Sequence, residues 1–265
     1  MAQPRALILK EHGTNCEEES KFAFERAGAR TDIIHMNDLL ADKTKIRDYQ
    51  ILMFPGGFSY GDDTGSGLAW ANRTRTMMDE IQGHISRGNM ILGICNGFQT
   101  LTNLGLLPAL DGKYGKAEVA LTHNTSARYD CRWVDLQFSN KSPWTCGIGR
   151  ISLPIAHGEG RFYADQNTLL KLQEKCLDVV KYTKGEISTL QDLPYNPNGS
   201  LEDIAGICDE SGRVLGLMPH PERAIDFTQL PNWTLLKEHY KRAGHQVPTQ
   251  GPGLTLFENG VNYFK

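Results

Sequence analysis

Short apolar runs alternate with longer stretches of helical period through the first half of the chain. Arg5–Lys10 is an unbroken apolar run, closed by Gly13, and predicts a buried strand. Glu17 to Ala27 opens on acids, carries Phe22, Ala23 and Arg26, and stops at Gly28, so a helix is predicted there. Thr31–His35 and Gln50–Phe54 read as the second and third strands, the third ended by Pro55-Gly56-Gly57. Leu68 to Arg87 has the period of one continuous helix, closed by Gly88. Asn89–Ile94 is a fourth strand that runs without a loop into a helical stretch from Gly97 to Leu107. Strands alternating with helices of this size imply β-α-β units and an open, mostly parallel, doubly wound α/β sheet flanked by helices.

After Gly112 the pattern changes to shorter runs joined by polar turns. Glu118–His123, Cys131–Phe138 and Arg150–Ile155 read as strands of a smaller antiparallel addition. Ile204–Cys208 and Arg213–Met218, joined by Asp209-Glu210-Ser211-Gly212, predict a hairpin. Trp233–Arg242 predicts the last helix. Gly244–Gly253 is rich in Gly and Pro and reads as a loose linker; Leu254–Phe264 is an apolar-aromatic tail without an assigned role. The expected organisation is one α/β domain over 1–243 followed by a tail over 244–265.

Composition narrows the class. With 265 residues, 40% hydrophobic and 22% charged, the chain can bury a core without disulfide or metal staples. A net charge of −3 gives no broad basic field for nucleic acid or an anionic membrane. No apolar stretch approaches the roughly 18 residues of a membrane span, and the N-terminus lacks a signal core. A cytoplasmic protein is expected. Its six cysteines (16, 95, 131, 146, 176 and 208) include no CxxC pair, which favours free thiols and disfavours a zinc site. Asn-x-Ser/Thr triplets at Asn72 and Asn124 are then chance matches.

Cys95 stands apart from the other five cysteines, which read as small hydrophobes. In Gly93-Ile94-Cys95-Asn96-Gly97 it sits where a buried strand turns straight into a helix, the device that G-x-S-x-G provides in serine hydrolases. The thiol is held at the carboxyl edge of the sheet, where open α/β sheets bind ligands. The helix N-terminus favours the thiolate, and the Asn96 N–H is placed to receive an oxyanion.

A cysteine nucleophile needs a base with an orienting group. His220 precedes Pro221 and Glu222; proline forces its neighbour into an extended form, and residues two apart in an extended segment share a side. His157, in Ala156-His157-Gly158-Glu159-Gly160, also has an acid two residues on, but its glycines suggest close backbone approach to a ligand. His12, His35, His84, His123, His239 and His245 read as surface or structural residues. Gly56-Gly57, after the third strand, makes a simple turn or, beside the elbow, a second oxyanion donor. No Walker loop or GxGxxG follows a strand, so nucleotide binding by this chain is unsupported.

The combination resembles the class I (triad) glutamine amidotransferases. Gly93-Ile94-Cys95-Asn96-Gly97-Phe98-Gln99, Gly56-Gly57-Phe58-Ser59-Tyr60-Gly61-Asp62, His157-Gly158-Glu159-Gly160, Asn196-Pro197-Asn198-Gly199-Ser200 and Met218-Pro219-His220-Pro221-Glu222-Arg223 narrow it to the glutaminase part of phosphoribosylformylglycinamidine synthases, over about Arg5 to Arg223. The resemblance implies that Cys95 attacks the glutamine side-chain amide to give a glutamyl thioester, that His220 shuttles protons, and that Glu222 orients His220. It further implies that the N–H groups of Gly57 and Asn96 form the oxyanion hole, and that Gln99, His157, Gly158 and Glu159 line the glutamine pocket. No metal or cofactor is implied in this chain. ATP and Mg²⁺ would sit on a synthetase subunit that uses the ammonia to make formylglycinamidine ribonucleotide in purine biosynthesis. A small bridging subunit is a further candidate partner; nucleic acid and membrane are not. Because the chain opens at Met1, it is expected to work as a separate subunit. The tail has no counterpart among these motifs.

Three other readings compete. A triad glutaminase could serve another acceptor, against which Asn96 and the His-Gly-Glu-Gly segment speak only through the resemblance. A non-catalytic relative would not need Cys95, His220 and Glu222 together. A cysteine peptidase or γ-glutamyl hydrolase would use the same triad on a larger substrate.

Overall fold

The computed structural model describes residues 3–265. In chain order its strands and α-helices are β1 (Arg5–Lys10), α1 (Glu17–Arg26), β2 (Arg30–His35), α2 (Met36–Ala41), β3 (Ile51–Phe54), α3 (Leu68–Thr74), α4 (Met78–Ser86), β4 (Met90–Ile94) and α5 (Asn96–Leu104). The second half adds β5 (Ala120–Thr122), β6 (Asp130–Phe138), β7 (Arg150–His157), β8 (Arg161–Tyr163), α6 (Gln166–Glu174), β9 (Val180–Tyr182), α7 (Glu186–Gln191), β10 (Ile204–Cys208), β11 (Val214–Leu217), α8 (Trp233–Arg242) and α9 (Leu254–Asn262).

Nine strands form one sheet in the order β2-β1-β3-β4-β11-β10-β9-β6-β7. The first five pair in parallel and the rest antiparallel. β5 and β8 form a separate antiparallel pair. Every residue of β3, β4, β10 and β11 is buried, the reason these strands read as continuous apolar runs rather than alternating ones. The predicted hairpin exists, with Gly206 opposite Leu217.

Two expectations need correction. The single helix over Leu68–Arg87 is broken: Arg75–Met77 is a 3₁₀ turn, and Met77 leaves helical geometry at φ −115°, ψ 18°. Thr74 and Thr76 are weak helix formers there, and the Thr76 hydroxyl bonds back to the Arg73 carbonyl at 2.9 Å. Trp233–Arg242 is a helix but not the last. Leu254–Asn262 is another, with Leu254, Leu256, Phe257 and Val261 buried. Phe257 meets Phe24 edge-to-face at 4.9 Å. The Gly/Pro-rich segment before it is fixed as well: Phe227 N–H donates to the Thr249 carbonyl, Gly251 N–H to Ile225 and Gly253 N–H to Ala224.

Candidate active site

Three neighbouring parallel strands deliver three pieces of chemistry to one edge of the sheet. The Gly56-Gly57 turn follows β3, Cys95 follows β4, and His220 lies just beyond β11. At Cys95 the chain reverses with φ 52° and ψ −108°, a conformation L residues seldom adopt. Its N–H donates to the Leu217 carbonyl at 2.9 Å, tying the elbow to β11. The elbow needs its glycine at 97, since a Cβ there would lie 1.9 Å from the Phe54 carbonyl oxygen. The thiol is 3.7 Å from the Ala156 carbonyl at the end of β7.

His220 and Glu222 meet, with Nδ1 to Oε1 at 2.6 Å, and both are buried. The route differs from the extended segment expected. Pro221–Arg223 is a 3₁₀ turn with proline at its start, and His220 is its N-cap at φ −106°, ψ 86°. The turn folds the carboxylate back onto the ring. The His220 N–H is anchored on the Pro154 carbonyl at 2.8 Å. Burial acts to lower the imidazole pKa, but the Glu222 carboxylate and then the Cys95 sulfur outweigh it, so the net direction is well upward. His220 Nε2 has both Cys95 and Cys16 for neighbours and makes no well-formed hydrogen bond within the protein.

Pairing with the segment Gly13–Cys16 orients the turn after β3. Asn15 and Cys16 N–H groups both donate to the Gly56 carbonyl, and Phe58 N–H to Gly13, so the Gly57 N–H faces away from that segment. Gly57 sits at φ 150°, and a Cβ would strike the Thr14 backbone at 2.6 Å. Gly56 is equally constrained by space: a Cβ there would lie 2.8 Å from His220 Cε1 and 3.2 Å from Cys16 Sγ. The fully buried Asn96 side chain locks turn to elbow. Its Oδ1 accepts from Ser59 N–H at 3.1 Å, and its Nδ2 donates to Asp62 at 3.1 Å and to Gln99 Oε1 at 2.9 Å. Burial raises the Asp62 carboxyl pKa above its ordinary value.

Gln99, His157, Gly158 and Glu159 come together where the first turn of α5 meets the segment after Ala156. Gln99 Nε2 donates to the Glu159 carbonyl at 2.6 Å, so its amide braces the turn after β7. His157 is buried with Nδ1 3.2 Å from Asn124 Oδ1, and burial lowers its pKa to about 3. The close approach permitted at Gly160 is to the His157 ring itself, which a Cβ would meet at 2.3 Å. Gly158 has open space around it, with Tyr129 at 3.9 Å. The Glu159 carboxylate is partly exposed, 3.4 Å from Ser66 N–H and 3.8 Å from His123.

A family model described as a CobB/CobQ-like glutamine amidotransferase domain matches residues 3–264. A phosphoribosylformylglycinamidine synthase subunit PurQ of Methanococcus maripaludis is 49% identical over 98% of this chain and 97% of its own length. The PurQ of Dehalococcoides mccartyi is 42% identical over 99% and 98%. The chain belongs to this glutamine amidotransferase family. PurLQS from Thermotoga maritima contains a chain 32% identical, with TM-score 0.71 and full coverage of both chains. A glutamine amidotransferase of Methylobacillus flagellatus, 14% identical with TM-score 0.52 over 99% of this chain and 94% of its own, shares the fold alone.

Several residues that shape the site in this family member carry no local sequence signal. Asn124 is one: it donates to the His157 carbonyl at 2.9 Å and accepts from the Gly160 N–H at 3.2 Å. Asn198 falls within the Asn196–Ser200 motif, which gives it no role by itself; it is fully buried and donates to the Gly160 carbonyl at 2.8 Å. Asn124 and Asn198 clamp the same turn from two distant segments. Cys16, which reads in sequence as an inert core thiol, abuts His220 instead. Among the described residues no helix is long and apolar enough to cross a membrane.

Proposed function

We propose that this chain hydrolyses glutamine through Cys95, His220 and Glu222 and hands the ammonia to a synthetase subunit of phosphoribosylformylglycinamidine synthase. The observation that carries the reading is the Cys95 elbow standing on the strand beside the one that leads to the buried His220–Glu222 pair. The Cys95 thiolate attacks the side-chain carbonyl carbon, and the oxyanion is received by the N–H groups of Gly57 and Asn96. The His220 imidazolium gives its proton to the departing nitrogen, leaving a glutamyl thioester and ammonia. Neutral His220 then takes a proton from water, which cleaves the thioester to glutamate and restores the thiolate. Glu222 holds the ring and balances its charge throughout. Gln99, His157, Gly158 and Glu159 form the wall of the glutamine pocket, with the Gly158 backbone and the Glu159 carboxylate as its accessible groups.

In this reading ATP, Mg²⁺ and the ribonucleotide bind the synthetase partner, the location is the cytoplasm, and the 49% identity to a PurQ subunit favours this acceptor over others. The test is Cys95→Ala assembled with its partner. Glutamine-dependent synthesis falls by at least about a thousandfold while ammonia-dependent synthesis persists. Loss of both in an assembled complex would contradict the assignment.

A further inference from the structure

Beside the proposed triad lies a buried thiol that the proposed reaction leaves idle. Cys16, the N-cap of α1, is fully buried. Its Sγ accepts from Arg223 Nη2 at 2.9 Å and donates to Asn15 Oδ1 at 3.2 Å. On its other side it faces the His220 ring. Donor atoms of Cys16, His220 and Glu222 lie within 4.8 Å of one another, and all three residues are buried. Two atoms of this group, His220 Nε2 and Glu222 Oε2, lack a hydrogen-bond partner within the protein.

A thiol, an imidazole and a carboxylate are the donor set that Zn²⁺ and its thiophilic relatives take. Tetrahedral bonds of about 2.0–2.3 Å place ligands roughly 3.3–3.8 Å apart, so donors spread within 4.8 Å draw in around an ion while the 2.6 Å His220–Glu222 contact opens to admit it. Cys16 lies about two hundred residues before His220 and Glu222, which is why ligand spacing in the sequence does not disclose the set.

We propose that Cys16, His220 and Glu222 form an inhibitory site for a thiophilic divalent cation. Binding releases two protons to solvent, the Cys16 S–H proton and the His220 proton at the ligating ring nitrogen, and the metal takes both places. The ring can then no longer move protons at Cys95, a consequence that rests on the proposed role of His220. Arg223 opposes the ion, since its guanidinium occupies the sulfur and repels a second cation. Cys16 and Arg223 therefore act on metal affinity in opposite directions.

The probe is Cd²⁺, followed by thiolate-to-metal absorption and calorimetry on Cys95→Ala protein, which removes the nucleophile's own sulfur. Adding Cys16→Ser weakens the tightest site by at least about tenfold, and adding Arg223→Gln tightens it by a similar factor. The exposed thiols Cys131, Cys146 and Cys176 are common to all variants and cancel in the comparison. Equal affinity with and without Cys16 overturns the site, as does an Arg223→Gln protein that binds no more tightly. If Cys16→Ser fails to fold in a metal-free melt, the Arg223 arm decides alone. Failure of the Cd²⁺ arms with glutamine turnover intact in Cys95 protein sinks only this site. Absence of turnover in folded, metal-free protein with its partner counts instead against the proposed function.

Discussion

Cys95 holds its thiol outward on a backbone with φ 52°, which costs on the order of 1–3 kcal/mol. The structure offsets this with the Leu217 bond and with a helix packed so closely that Gly97 touches Phe54. The partner histidine is tuned by burial, by the Glu222 carboxylate and by the Cys95 sulfur. Burial lowers the His220 pKa and Glu222 raises it above its ordinary value, so replacing the carboxylate drops the pKa. Glu222→Gln is therefore expected to shift the basic limb of the glutamine pH–rate profile toward lower pH, because the imidazolium that protonates the departing nitrogen is lost sooner. Its activity loss should be smaller than that of His220→Ala, since the role proposed for Glu222 is to orient the ring and not to transfer the proton. A basic limb that stays in place would separate Glu222 from the titration. These three residues are legible in the sequence because an elbow and a His-Pro-Glu run are local patterns. Cys16 and Asn124 are not, since their partners lie elsewhere in the chain.

Among elements, the C-terminal segment is the one whose part in the fold the sequence leaves open. Composition suggests a loose end, yet Gly253 is packed against the Pro221 carbonyl, where a Cβ would come within 2.1 Å. The strap before α9 thus presses on the turn that presents Glu222. Two substitutions should separate bracing from stability. Phe257→Ala empties a core position and should cost about 3–5 kcal/mol, read as a lower melting temperature with turnover kept at low temperature. Gly253→Ala should cut kcat in protein that is still folded by circular dichroism, because it pushes the Pro221–Arg223 turn. Full kcat in Gly253→Ala would leave the strap a structural role only. The broken helix at Arg75–Met77 teaches a similar lesson, because a period of apolar residues survives a kink that only backbone geometry reveals.

Across the whole molecule, the order of strands decides function. β3, β4 and β11 are neighbours although β11 lies far along the chain, and that adjacency assembles the site. Buried histidines link the fold to pH. Burial lowers His84 to about 4 and His157 to about 3, below the ordinary value of 6.5. At these two positions the unfolded chain binds more protons below pH 6.5, so each lowers stability as pH drops, by about 2 kcal/mol at pH 5, while the raised His220 acts in the opposite direction. Denaturant midpoints at pH 7.5 and pH 5 measure this, and His84→Gln should shallow the loss; an unchanged slope would exclude His84 as a source. By itself the sequence determined the strand and helix alternation, the parallel character of the first half, and the candidates proposed here as nucleophile and base. Each is written in contiguous residues through hydrophobic period, turn chemistry and glycine spacing. Tertiary structure alone decided the clamp of Asn124 and Asn198 on one turn, the path of the strap behind Glu222, and the meeting of Cys16 with His220. Those depend on contacts between segments tens to hundreds of residues apart, for which a chain read in order carries no local mark.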